Sequence, residues 1–180
     1  MKNYLTILFV AISCYCVSCN SKSESGLSPA AQKNLDAMHG VSNSFDTKDF
    51  SKIGDYIAAD AVDHSGENGD VKGLDSIKAS FVRYTANVES QKTEVIKELA
   101  DDEFAMSWIR YTGSFKKDQM GYKAGEKFDM KAIEIAKFKD GKAVEHWTYM
   151  DPGEVVTMMG KMQPPPVMPA DSTKSAKPKK

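Results

Sequence analysis

From residue 28 onward, apolar positions recur first at three- and four-residue spacing and then, past residue 90, at every second residue. Ala31, Leu35, Met38, Val41 or Ser42, and Phe45 form one apolar stripe of a helix. Ser28-Pro29 opens it, with a capping side chain followed by a proline whose missing N–H costs nothing in a first turn. Gly40 weakens this helix by roughly 1 kcal/mol against Ala and points to a kink or close packing there. A second short helix is predicted after Asp49, with Phe50, Ile53 and Ile57 on its inner side. The stretch DAVDHSGENGDVKG then breaks the period with Gly, Asn and Asp, as loops and small hairpins do. From Leu74 a third helix carries Ile77, Phe81 and Tyr84 inward.

Beyond it the period becomes 2. QKTEVIKEL, EFAMSWIRYTGSF, EKFDMKAIEIAKFK and KAVEHWTYMD are rich in aromatic and β-branched residues, with turn signals at Ala100–Asp102, Lys116–Gly125 and Asp140-Gly141. The Asp-Gly pair is a strong hairpin signal, because a primed turn needs positive φ. Three helices followed by a four-strand antiparallel meander is an α+β order, with the helices covering one sheet face. Alternation sorts the side chains. Val144, His146, Thr148 and Met150 share one face of the last strand; Glu145, Trp147, Tyr149 and Asp151 share the other. In the strand before it Phe128, Met130, Ala132, Glu134, Ala136 and Phe138 point one way. Glu134 is the single carboxylate on that face, where an apolar surround would raise its pKa and suit it to carrying protons.

The two ends of the chain have a different character. Lys2 and the apolar run YLTILFVAI resemble an export signal, too short for a comfortable permanent span of roughly 20 residues. SCYCVSCNSKSES resembles the lipobox of bacterial lipoproteins, in which a cysteine after a small residue is lipidated. Cys19 after Ser18 fits best and Cys14 after Ser13 second; Cys16 stands where that motif usually has Leu. The resemblance implies a lipid-anchored protein of the bacterial envelope, on the outer membrane. It also assigns all three cysteines to export rather than to disulfides or thiol catalysis. Residues 1–19 are thus read as a signal segment, 20–27 as a flexible tether, 28–159 as one domain and 160–180 as a disordered Pro/Lys-rich tail. A formal net charge of -1 gives no general bias toward nucleic acid.

The segments IGDYIAADAVDHS, GLDSIKASFVRY and FKDGKAVEHWTYMD, in this order, resemble the SnoaL-like polyketide cyclase branch of the nuclear transport factor 2-like superfamily. That resemblance implies a cone: helices and a curved sheet around a pocket, lined here by Tyr56, His64, Met130, Ala132, Glu134, His146 and Thr148. It implies a homodimer through the outer sheet face, where Trp147 and Tyr149 stand. Cyclases of this branch carry an acidic residue directly after the tryptophan of the last motif; this chain has Thr148 there, which cannot act as an acid or base at neutral pH. Glu134 with His146 or His64 is the substitute pair the sequence offers. Each also has a structural reading, His146 as a satisfied half-buried histidine and Glu134 as a paired carboxylate. No cofactor motif stands out, and His39, His64 and His146 lack metal-site spacing. Two functions follow: an envelope lipoprotein binding a small apolar ligand or a partner without catalysis, or an enzyme of isomerase, cyclase or hydratase type.

Overall fold

A computed structural model describes residues 26–162 except residue 67. Cys19 with its signal segment, most of the tether and all but the first residues of the expected tail lie outside those residues. The element order is α1 (Pro29–Thr47), α2 (Ile53–Tyr56), β1 (Ile57–Asp63), β2 (Val71–Lys72), α3 (Leu74–Ala86), β3 (Val88–Ala100), β4 (Phe104–Phe115), β5 (Lys127–Lys139), β6 (Lys142–Met150) and α4 (Pro152–Met162). The strands form one curved six-stranded sheet in the order β2-β1-β6-β5-β4-β3. The α+β architecture and the β3–β6 meander stand as the alternation predicts.

Ser28 caps α1, its hydroxyl accepting from Ala31 N–H at 3.0 Å. The helix lies across the inner sheet face and is fixed to strand ends and turns by polar contacts. Asn34 Nδ2 donates to the Asp101 carbonyl at 3.0 Å, and Lys33 Nζ to the Asp140 carbonyl at 2.7 Å. Asp46 accepts from Thr93 N–H at 3.0 Å and Thr93 Oγ1 at 2.8 Å, covering part of the β3 edge. Asp140 and Gly141, with φ of 56° and 76°, make the primed turn between β5 and β6.

Two elements differ from the sequence expectation. The helix expected after Asp49 to carry Ile57 inward stops at Tyr56, and Ile57 starts β1, which runs parallel to β6. Ala58, Ala59 and Ala61 give this stretch helical propensity, and pairing with β6 overrides it. The other is α4, a fourth helix whose last three residues pass the expected domain edge at 159.

The inner face holds two apolar compartments. Leu35, Ala37, Ala105, Ala136, Phe138 and Ala143 fill one. Val88, Phe115, Tyr122, Phe128, Met130 and Met158 fill the other. Between them runs one transverse row of polar residues in register, Glu98–Ser107–Glu134–Thr148, from β3 to β6. A third cluster, around Ile53, Ile57 and Ile77, packs α2 and α3 on β1.

Gly40 is a close-packing site. A Cβ there would lie 2.3 Å from Tyr56 Cζ, inside any real contact. Gly40→Ala therefore sets a helix-propensity gain of about 1 kcal/mol against overlap costing about 1–3 kcal/mol. Urea denaturation should show a net loss of stability; a variant as stable as the parent would contradict the packing.

Candidate functional site

Alternation along β5 and β6 puts Glu134, His146 and Thr148 on the same inner surface, and register makes Glu134 and Thr148 direct partners. His146 Nε2 lies 2.7 Å from Glu134 Oε2, and its Nδ1 lies 3.0 Å from Asp63 Oδ1 at the end of β1. Thr148 Oγ1 donates to the same Glu134 Oε2 at 2.7 Å, and Tyr111 Oη from β4 donates to Oε1 at 3.0 Å. Four strands thus converge on one hydrogen-bonded unit. The parallel pairing of β1 with β6 supplies Asp63, since Asp63 is the register partner of His146.

Burial sets the electrostatics. The side chains of Glu134 and Asp63 are 12% exposed, that of His146 31%. Desolvation alone would lower the His146 pKa, but its hydrogen bonds to Asp63 and Glu134 outweigh that and raise it to about 10. His146 is therefore an imidazolium at neutral pH, donating from both nitrogens. Burial raises the Asp63 pKa, and the bonds from His146 and Ser65 N–H overcome that and hold the carboxyl below its ordinary value. Burial first, then the Glu134 charge, pushes the Tyr111 phenol well above its ordinary range. Two carboxylates and one imidazolium leave the unit net negative. Glu134 Oε2 is shared by two donors, whereas Oε1 accepts from Tyr111 alone among the described residues.

Of the residues expected to line a pocket, Glu134, His146 and Thr148 meet in this unit, and Met130 and Ala132 are buried beside it on β5. Tyr56 packs under Gly40 of α1 and against the compartment of Leu35, Ala136 and Phe138. His64 sits on the outer face of β6. Its ring stacks on Trp147 at 4.9 Å between centroids, and it reaches Asp70 at 3.0 Å and Glu145 at 3.3 Å. Being next in sequence to Asp63 on a strand end, it points the opposite way. The pair offered by the sequence thus resolves to Glu134 with His146. Two shallow depressions lie elsewhere, one along Ser90, Gly113 and Phe128, the other at Gly73–Ser76.

Asp63 and Tyr111 were not candidates in the sequence. Asp63 stands next to His64 in the sequence, and nothing local aligns it with His146. Tyr111 sits in a strand of many aromatics and could be placed only by its register.

Residues 35–157 match the family model described as SnoaL-like polyketide cyclase. Among solved structures, TsrD from Streptomyces laurentii superposes with a TM-score of 0.63 at 18% identity, covering 76% of this chain and 100% of that one. A SnoaL-like polyketide cyclase from Agrobacterium tumefaciens gives 0.60 at 14% identity, over 71% of this chain and 98% of that one. An LEH-like epoxide hydrolase from M. tuberculosis gives 0.60 at 12% identity, over 74% and 93%. At these identities the likeness to solved structures is one of fold. Comparison with curated proteins returned no match.

The imidazolium has a signed consequence for stability. A histidine whose folded pKa lies above its unfolded value of about 6.5 stabilises fully below that value, and the contribution is lost as pH rises through about 10. His146→Gln should cost about 2 kcal/mol at pH 6, less than a fully buried pair, and much less at pH 10. Urea unfolding of both proteins at the two pH values checks this; a loss independent of pH would contradict it.

Proposed function

This chain belongs to the SnoaL-like polyketide cyclase family, and from that premise we propose that it binds a small, largely apolar molecule without transforming it. One observation carries this reading: both nitrogens of His146 are already bonded to carboxylates. An imidazolium so held is a poor general base. What the unit offers is a fixed acceptor, Glu134 Oε1, at the meeting of two apolar compartments. A ligand with an apolar body and one hydroxyl or ammonium donor suits it, and a carboxylate does not. Stabilisation against heating by long-chain alcohols or amines should exceed that by matched carboxylates. Glu134→Gln should weaken binding by about tenfold, the order of one hydrogen bond to a charged group. No stabilisation by any of these compounds would refute the reading.

A catalytic reading is favoured by a separate observation. Glu134 stands directly opposite Thr148, so the carboxylate that the resemblance expects at position 148 is delivered from the neighbouring strand. Asp63, His146 and Glu134 then form a continuous carboxylate–imidazolium–carboxylate path, through which an isomerase, cyclase or hydratase could pass a proton. Glu134-dependent exchange of a substrate C–H in deuterated water, across a panel of enones and diketones, tests it; exchange no faster than with Glu134→Gln would exclude it.

We also propose two attachments. The outer face carries two ranks of side chains in register, Trp108–Ile133–Tyr149 and Met106–Ile135–Trp147. Trp108 is 43% exposed and Tyr149 56%. A patch of this kind suits a self-complementary homodimer contact. Light scattering should give a dimer for the parent and a monomer for Tyr149→Lys; a monomeric parent would contradict it. Lipidation at Cys19 would hold the protein to the envelope membrane, read out by palmitate labelling that Cys19→Ala abolishes; labelling unchanged in that variant would disprove it.

A further inference from the structure

We propose that α4 is a displaceable cover over the ligand's entry, and that the molecule admitted beneath it is amphipathic, with an apolar body and a donor head; this rests on the binding reading above. The helix seats itself by one buried side chain. Met158 is 7% exposed, whereas Val155, Val156, Met159 and Met162 are 36, 69, 55 and 58% exposed. Most of the apolar surface of α4 is therefore turned to water, so leaving its seat exposes little apolar area beyond Met158.

That seat is continuous with the site. Met158 packs in the compartment of Met130 and Phe128, which Met150 and Tyr111 border, and Tyr111 Oη lies 3.0 Å from Glu134 Oε1. Withdrawing Met158 would uncover an apolar surface over β5, bordered by Tyr111, whose hydroxyl reaches the acceptor oxygen. A ligand chain would replace Met158 on this surface and its donor would take the remaining lone pair of Oε1.

The other ties of α4 go to the β4–β5 connection and can break without disturbing the sheet. Lys161 pairs with Glu126, and its ammonium stands 4.4 Å over the Tyr122 ring. Gly121, with φ of 79°, lets the helix approach so closely that a Cβ there would be 2.9 Å from the Met158 carbonyl oxygen. The joint with β6 is Asp151-Pro152-Gly153, where Asp151 Oδ1 accepts from Gly153 N–H at 2.8 Å.

N-phenyl-1-naphthylamine, an apolar fluorophore with one N–H donor, is a suitable probe. Its affinity should rise by about tenfold when the chain is ended at Asp151, the gain expected if the open form is about a tenth of the population. In the full chain, saturating probe should speed hydrogen exchange of amides 154–162 while leaving those of β5 protected, and this measurement decides should the shortened chain not fold. Equal affinity for both chains with unchanged exchange overturns the cover and leaves the site reading intact. Absence of probe binding by either chain overturns both.

Discussion

The proposed binding site depends on an imidazolium held between two carboxylates inside a largely apolar sheet face. Burying charge is costly, and a lone Glu134 on β5 would be an expensive feature. His146 offsets that cost, and Asp63 offsets the cost of His146 in turn. Tyr111 and Thr148 add two further hydrogen bonds to Glu134. Removing any one member leaves another charge or acceptor buried without its partner, which is the expensive outcome. The unit therefore behaves as a single object, and it fixes where β1 must lie against β6.

Its position explains the layout of the interior. The row Glu98–Ser107–Glu134–Thr148 divides two greasy compartments. Ser107 Oγ donates to Glu98 Oε1 at 2.9 Å, and His39 reaches the same carboxylate at 2.8 Å, so polar bonding continues toward α1. Small residues line the compartment under α1, where Ala105, Ala136 and Ala143 let the helix come close. Larger ones, Phe128 and Met130, line the compartment under α4. An interior of this kind favours molecules with one polar end over those polar throughout.

Much of this is legible in the sequence alone. The strict alternation from Phe128 to Phe138 placed Glu134 inward, and the same rule placed His146 and Thr148 on the matching face of β6. The Asp140-Gly141 turn makes β5 and β6 hairpin partners, without giving the register across the bulge. What stayed hidden depended on long-range pairing. Ile57 reads as the end of a helix and DAVD as the start of a loop or small hairpin, so the strand that brings Asp63 to His146 stays hidden, and with it the reason His64 faces away. A bulge near Lys137 and Phe138 also turns Ala143 inward, against simple alternation from His146. Tyr111 spans more than one row of the sheet to reach Glu134, a distance no sequence spacing encodes. The helix α4 was masked by the Gly and Pro residues around it.

The most direct measurement is a long-range nitrogen–proton correlation spectrum of His146 at pH 7 in uniformly labelled protein. The account predicts two protonated ring nitrogens with imidazolium shifts, both moving when Asp63→Asn or Glu134→Gln is introduced. A neutral ring with one protonated nitrogen would contradict it.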